Sequence, residues 1–160
     1  MKKIFLIFVV SFLSFQIQGQ EHDQLNEMIT SSINLYITND KSLVKQGFGL
    51  RDTSRYYICM EGLPEHFSYD GIQNITFFSL NNIEGVPNFL KHKLNKGIGM
   101  LFIGLKTLNN QLVISVKDCG VRRLKKKHLS ISISDWGVFT YEYSCERRKW
   151  LLVKSVYGGI

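Results

Sequence analysis

The densest concentration of charge in this 160-residue sequence is a basic run in its C-terminal third. Six of the seven residues at positions 122–128 are basic or can become so: Arg122, Arg123, Lys125, Lys126, Lys127 and His128. Clustered cations attract anionic ligands and surfaces, so this run is a candidate binding patch. The alternative is a solvated connection between strands, in which lysines prevent unwanted pairing of sheet edges.

A second basic run, Arg147-Arg148-Lys149, follows about twenty residues later. Turns two apart in an up-and-down sheet fall at the same end. We therefore expect Arg147 and Arg148 to reinforce the first run, provided that Asp135–Gly137, which separates the two, is a true turn.

One loop contains the residues most similar to an acid–base site. His66 lies near Glu65, Tyr69 and Asp70 in a stretch without strand or helix periodicity. A general base needs a cleft and a partner that fixes it, and the sequence shows neither. The sequence also contains no Ser-His-Asp, HExxH or P-loop pattern. No catalytic residue is therefore assigned, and a non-enzymatic role is favoured.

The three cysteines of the sequence are Cys59, Cys119 and Cys145. They form no C-x-x-C pair, and no His stands at ligand spacing from them, so no metal or other cofactor is expected. In an oxidising compartment two of the three would pair, and Cys119–Cys145 is then the favoured disulfide because both residues end strands of one predicted sheet. Three buried free thiols are the alternative.

The first 19 residues are typical of a secretory signal peptide. Lys2 and Lys3 precede a nearly continuous apolar stretch, Ile4–Phe15, which ends in polar and small residues. We predict cleavage after Gly19, a single domain at 20–160, and a periplasmic or secreted location. An uncleaved N-terminal anchor is the alternative. No later segment approaches the roughly 20 apolar residues that a membrane span needs.

The net charge indicates which partners an exported domain would meet. The formal charge is +7 for the whole sequence and falls to +5 without Lys2 and Lys3. An exported basic protein does not normally encounter nucleic acid, so its partner would be an acidic protein, an anionic glycan or lipopolysaccharide. Alternatively, the excess of basic over acidic residues only keeps the protein soluble. Oligomeric state stays open.

The N-terminal half of the domain predicts two helices and two short strands. Glu21–Thr38 is an amphipathic helix, with apolar residues every three or four positions: Leu25, Met28, Ile29, Ile33, Tyr36 and Ile37. The glycine-bearing Lys41–Arg55 is a predicted loop, with room for a short helix at Lys41–Gln46. Two short strands, Tyr56–Met60 and Asn74–Leu80, and a short helix, Pro87–Lys96, complete this half.

The C-terminal half predicts about five antiparallel strands joined by short turns. Apolar and polar residues alternate along each segment: Ile98–Leu108, Gln111–Asp118, His128–Trp136, Val138–Cys145 and Trp150–Tyr157. Asn109-Asn110 suits a primed two-residue turn, and Asp135–Gly137 suits a turn or a bulge. The predicted fold is therefore α+β, with the N-terminal helix packed on the concave face of a curled antiparallel sheet.

This order of elements resembles the cystatin-like and nuclear-transport-factor-2-like cone folds, in which a curled sheet wraps a helix and leaves a pocket. Several short segments also look like those of small exported proteins of Gram-negative anaerobes: Gly97-Ile98-Gly99, Ile133-Ser134-Asp135-Trp136-Gly137, Tyr141-Glu142-Tyr143-Ser144-Cys145 and Tyr157-Gly158-Gly159-Ile160. The first resemblance implies an architecture, and the second implies a compartment but no activity.

Two functional hypotheses result from these patterns. The leading one is an exported binding or interaction protein that takes an anionic partner through the basic end built around Arg122–Lys127. The alternative is a small hydrolase or ligand-binding cone, with its site between helix and sheet near His66 or Cys59. A deep pocket containing two titratable groups would favour the alternative, and a packed interior would favour the first.

Overall fold

The computed structural model describes residues 24–42, 54–81, 88–125 and 128–159. The predicted signal peptide, most of the Lys41–Arg55 loop, and Lys126 and Lys127 lie outside these ranges. The described chain has two helices, α1 (residues 24–42) and α2 (Asn88–Lys96). Its six strands are β1 (Tyr56–Cys59), β2 (Ile75–Phe78), β3 (Ile98–Leu108), β4 (Gln111–Lys125), β5 (His128–Ser144) and β6 (Lys149–Gly159). Neither described helix combines the length and apolarity of a membrane span.

The six strands form one curled, mostly antiparallel sheet in the order β2-β1-β3-β4-β5-β6. The α+β prediction is therefore confirmed. β3 to β6 follow one another as antiparallel neighbours, as short connections require. β1 is parallel to both β2 and β3, because a long loop and α2 carry the chain back before each following strand begins. At the β3–β4 turn, Asn109 and Asn110 both have positive φ, 50° and 61°, as the predicted primed turn needs.

The C-terminal meander has four long strands instead of the predicted five. The segments expected as separate strands around Asp135–Gly137 are one continuous strand, β5, and the bulge interpretation of this point is the correct one. Asp118 pairs with Asp135, but Cys119 pairs with Ile133, so Ser134 is an additional residue in β5. One extra residue reverses which side chains face each side of the sheet. This reversal breaks the alternation in the sequence and mimics a strand boundary.

The core between α1 and the sheet consists of large apolar side chains from both. The predicted stripe of α1 is buried at Met28, Ile29, Ile33, Tyr36 and Ile37, with Leu25 partly covered. Opposite it the sheet contributes Tyr56, Ile58, Leu101, Ile103, Ile114, Val116, Phe139 and Tyr141. The helix and sheet are also linked by a buried hydrogen-bonded pair, because the Tyr141 hydroxyl lies 2.9 Å from Ser32 Oγ and donates to the Met28 carbonyl at 3.1 Å. This satisfied link fixes the register of α1 on β5.

A smaller core on the opposite face of the sheet positions α2. Leu90 and Leu94 are the buried residues of this helix, and they belong to one cluster with Met100 and Val121 from β3 and β4. Gly97 has a φ of 103°, which ends α2 in the left-handed conformation that favours glycine. β3 then starts at once, so the last turn of α2 lies at the end of the sheet where β3 begins and β4 finishes.

Candidate functional site

One end of the sheet collects cations from three separate parts of the chain: the residue before β1, the last turn of α2 and the end of β4. Ile98 pairs with Val121 and Lys125 with His128, so the start of β3, the end of β4 and the start of β5 lie together. Because β1 runs parallel to β3, its first residues lie at this end too. We call this region the basic end and define it by six residues: Arg55, Lys93, Lys96, Arg122, Arg123 and Lys125.

The basic end contains an open pocket of about 540 Å³. Volumes of about 300–1,000 Å³ are usual for sites that hold small molecules. Its charged lining residues are Arg55, Lys93, Lys96 and Asp118. Three cations against a single carboxylate give the pocket an excess of positive charge.

The pocket has a shallow floor because small residues from three strands lie side by side. Gly99 on β3 pairs with Gly120 on β4, and Gly120 pairs with Ser132 on β5. A Cβ atom at Gly120 would stand 3.0 Å from Ser132 Oγ, so even alanine would crowd this row. Ser134 extends the row and offers a second hydroxyl to the pocket. The floor therefore provides space and small polar groups. Beside it stand Arg55, Lys93 and Lys96, which we call the cationic wall of the pocket.

The cationic wall is held in place by Tyr57, which also lines the pocket. Lys93 Nζ donates to the Tyr57 hydroxyl at 2.9 Å, and the same ammonium lies 5.2 Å from the centroid of the Tyr57 ring. Burial by itself raises the pKa of Tyr57, but hydrogen bonds and charge from Lys93 and Arg55 lower it below its ordinary value. Lys93 and Lys96 occupy the last turn of α2, where the helix dipole favours cations. The lysines are therefore stabilised locally even when no ligand is bound.

The predicted basic patch starts within β4, because that strand extends beyond the predicted Asp118 to Lys125. Arg122 pairs with Ser130 and Arg123 with Leu129, so the two arginines lie on opposite faces of the sheet. Arg122 shares the face of Gly120 and therefore of the pocket floor, two residues further along β4. Because β4 continues through this basic run, the side chains of the run alternate between the two faces of the sheet.

Arg147 and Arg148 lie at the opposite end of the sheet. They belong to the turn between β5 and β6, and the Arg148 carbonyl accepts a hydrogen bond from Gln24 Nε2 at 3.4 Å, beside the first turn of α1. Because Asp135–Gly137 is not a turn, the two basic runs lie at the two ends of the single strand β5. They therefore lie at opposite ends of the sheet. The expectation that they reinforce each other is wrong, and Arg147 and Arg148 do not belong to the basic end.

The loop around His66 does not assemble an acid–base site. His66 and Asp70 are exposed, whereas the Tyr69 hydroxyl is engaged with Asn34 Oδ1 of α1 and accepts from the Ile72 backbone at 2.9 Å. Burial raises the pKa of Tyr69. Across the described ranges, no three His, Cys, Asp or Glu side chains are grouped as metal ligands would be. Tyr69 therefore secures the loop against α1.

Cys59 and Glu61 form a partly buried polar link at the ends of β1 and β2. The Cys59 thiol donates to Glu61 Oε2 at 2.7 Å, while Glu61 Oε1 accepts from Ser79 Oγ and from the Asn81 backbone at 3.0 Å. Burial and the Glu61 carboxylate together raise the pKa of Cys59 to about 12. A thiol that stays protonated is a poor nucleophile, so this arrangement is structural.

Glu61 gives the stability of the fold a dependence on pH. Burial raises its pKa, but the hydrogen bonds from Cys59, Ser79 and Asn81 outweigh burial and lower the pKa from 4.5 to about 2. Because the folded pKa lies below the unfolded value, the stabilisation is complete above about pH 4.5 and is lost as the pH falls towards 2. We expect Glu61→Gln to lower the free energy of unfolding by about 1–2 kcal/mol at pH 7, after allowance for partial solvent exposure.

Urea denaturation of both proteins at pH 7 and pH 3 checks this expectation. The difference between them should shrink by at least half at pH 3. An equal difference at both values would show that the glutamate contributes through packing and not through its charge.

The predicted disulfide Cys119–Cys145 is not formed, and all three cysteines are free. Cys119 pairs across the sheet with Ile133, and Cys145 comes twelve residues after Ile133, in the turn that follows β5. At about 3.3 Å per residue this separates the two by about 40 Å, whereas a disulfide needs Cα atoms within about 7 Å. The prediction failed because β5 is one strand, which places its two ends at opposite ends of the sheet.

The different exposure of the cysteines predicts their reactivity. Cys145 is exposed, while Cys59 and Cys119 are buried with raised pKa values. We expect one thiol per chain to react rapidly with Ellman's reagent in the native protein, and three to react in 6 M guanidinium without reductant. A single reactive thiol under denaturing conditions would contradict the free-cysteine structure. Cys145→Ser, which should abolish the rapid reaction, is the control.

Comparison of this chain with protein-family models, curated proteins and solved structures gives no significant match. The site therefore rests on its own geometry. Sequence reasoning identified Arg122, Arg123 and Lys125 but missed Arg55, Lys93, Lys96, Tyr57 and Asp118. The basic residues at the C-terminus of the predicted helix Pro87–Lys96 were a usable signal, because that helix leads directly into β3. Arg55 had no such signal, since its place depends on the parallel pairing of β1.

Proposed function

We propose that this chain is an exported, non-enzymatic binding protein that takes an anionic partner at its basic end. The observation that carries the proposal is the gathering of Arg55, Lys93 and Lys96 around one open pocket, with Arg122 two residues beyond the lining residue Gly120 on β4. The export part rests on the N-terminal sequence, Met1 to Gly19. It remains a prediction from the signal-peptide pattern.

The physical basis of the proposal is long-range attraction followed by local pairing. Clustered cations raise the local concentration of anions and speed their association, and the effect weakens as salt screens it. The hydroxyls of Ser132 and Ser134 lie at the floor, where they donate to the Gly120 and Asp118 carbonyls at 3.4 and 3.3 Å, and a bound anion would exchange these long hydrogen bonds for its own.

The alternative of a hydrolase or ligand-binding cone receives less support. The space between α1 and the sheet is filled by the apolar core, including Phe139, Ile33 and Leu101, all fully buried. Cys59 is held as a thiol, and the Tyr69 hydroxyl near His66 is committed to Asn34 and to the Ile72 backbone. The open pocket lies beyond this packed interior, at the end of the sheet. A binding surface therefore fits the described residues better than an enclosed active site.

Binding of a defined polyanion to the chain from Gln20 onwards tests the proposal. We expect a heparin-derived hexasaccharide to bind, and its affinity to fall at least tenfold between 50 and 500 mM NaCl. Dextran of similar length, which is neutral, should not bind. Equal binding of both glycans, or affinity independent of salt, would overturn an electrostatic site.

A further inference from the structure

Among the described residues, strand β5 extends beyond its neighbour β6, and one side of its first residues is unpaired. β6 ends where Gly159 pairs with Asp135, whereas β5 begins at His128. Residues 128–134 therefore pair with β4 on one side only, and no other described strand borders their second side. We call these seven residues the open edge. Such an edge presents backbone N–H and C=O groups to any extended chain that can align with it.

The side chains of the open edge differ between the two faces of the sheet. Ser132 and Ser134 line the pocket, and Ser130 precedes them on the same face. Ile131 and Ile133 point to the other face and are 51% and 45% exposed. The two isoleucines form a small apolar surface on that face, which an added strand would cover. A strand that fits here would be apolar on one side and polar on the other.

Residues 129–133 of the open edge carry none of the devices that keep sheet edges from pairing, and the bulge at Ser134 marks the boundary with the part of β5 that pairs with β6. Proteins protect edges with prolines, inward-pointing charges, lysines or bulges. β6, which forms the outer edge of the sheet beyond position 135, carries both a register shift and Lys154. Residues 129–134 are Leu-Ser-Ile-Ser-Ile-Ser and contain no charge and no proline. Within the described residues, the sheet therefore protects the β6 stretch of its edge more than residues 129–133 of β5.

The charges around the open edge decide what kind of strand can dock. Arg122 and Arg123 lie on β4 directly opposite Ser130 and Leu129, one on each face, and Lys125 is paired with His128. An acidic strand would be attracted to both faces. A second copy of this chain would bring two basic ends together, and like charges directly opposed across strands are destabilising.

We propose that the open edge of β5 binds an extended acidic peptide segment of a partner protein as an added strand. Alternate acidic side chains of the peptide lie towards the pocket and Arg122, and the apolar side chains between them cover Ile131 and Ile133. The peptide backbone completes the hydrogen bonds of residues 128–134. This inference deepens the proposed function by naming the class of anionic partner, and it rests on that function.

Two synthetic peptides of equal composition and charge test strand addition separately from electrostatics. One alternates glutamate and valine over seven residues, and the other has four glutamates followed by three valines. We expect the alternating peptide to bind with a Kd at least tenfold lower than the block peptide. We also expect it to slow hydrogen exchange of those alternate backbone amides within residues 129–134 that do not donate to β4, in the ¹⁵N-labelled protein.

A pair of matched variants locates the contact. Ile131→Ser with Ile133→Ser should weaken binding of the alternating peptide at least tenfold, and both side chains are exposed, so the fold should persist. Leu152→Ser with Val153→Ser, which removes two similarly exposed aliphatic residues from β6, should leave the affinity unchanged.

The outcomes separate this inference from the proposed function. Equal affinity for the two peptides, or no change in exchange at 129–134, overturns strand addition but leaves an anion-binding basic end. Strand addition is also overturned, and the anion-binding basic end retained, if neither peptide binds while the heparin hexasaccharide still does. Protection of the open edge without any peptide, together with a dimeric mass in solution, overturns the inference in favour of a second copy.

Discussion

Replacing Arg122 and Lys125 together by glutamate is expected to weaken binding of the heparin hexasaccharide at least tenfold in 50 mM NaCl. Each substitution changes the local charge by two, so the basic end loses four units of positive charge. Both side chains are exposed, so their replacement should not disturb the core. The loss should largely disappear at 500 mM NaCl, where screening reduces the interaction to a few ångströms' range. Isothermal titration calorimetry at both salt concentrations measures it.

The chain provides a control with the same change of net charge. Arg147 and Lys149 match Arg122 and Lys125 in residue type and are both exposed, but they lie at the opposite end of the sheet. Their double replacement by glutamate should lower the affinity by no more than about threefold, through net charge alone. Equal losses in the two double variants would show that the partner senses overall charge and not the basic end.

Replacing Phe139 by alanine is expected to lower the free energy of unfolding by about 3–5 kcal/mol. Phe139 is fully buried in the core between α1 and the sheet, and its ring meets that of Tyr157 edge to face, 5.7 Å between centroids. Removal leaves a cavity below the helix that rigid neighbours cannot fill. Since domains of this size are usually stable by about 5–15 kcal/mol, this single change should bring the protein close to unfolding.

Urea denaturation followed by circular dichroism measures this loss, with Val153→Ala as the control. Val153 is 49% exposed on β6, so its truncation should cost less than about 1 kcal/mol. Similar costs for the two variants would contradict the packing of α1 over β5. The expected result would in turn confirm that the interior is a core and not a binding cavity.

Most of the fold was predictable because its signals are local. The apolar stripe of α1, the alternation along β3 and β4, and the Asn109-Asn110 turn each depend on residues close in sequence. Contacts between residues far apart in sequence could not be predicted in this way, and Gly137 is an example. A Cβ atom there would stand 2.9 Å from the Tyr36 ring, so this glycine allows α1 to approach β5. The sequence pattern suggested a turn or bulge at that point without revealing the helix contact.

The bulge at Ser134 explains the main errors of the sequence interpretation. A one-residue insertion reverses the alternation within β5, so one strand resembled two, and the two basic runs were expected together. The favoured disulfide failed for the same reason. The candidate site was only partly predictable because its residues come together through strand pairing: Arg55 and Lys93 are far apart in sequence but line one pocket.

The central claim is that an anionic partner occupies the basic end, and mapping of backbone amide shifts tests it most directly. On titration of the ¹⁵N-labelled protein with the heparin hexasaccharide, the largest saturable shifts should fall at Arg55, Lys93, Lys96, Gly120 and Arg122. Residues of the β5–β6 turn, including Arg147, should not move. Shifts centred on that turn, or spread evenly over the surface lysines, would contradict the account.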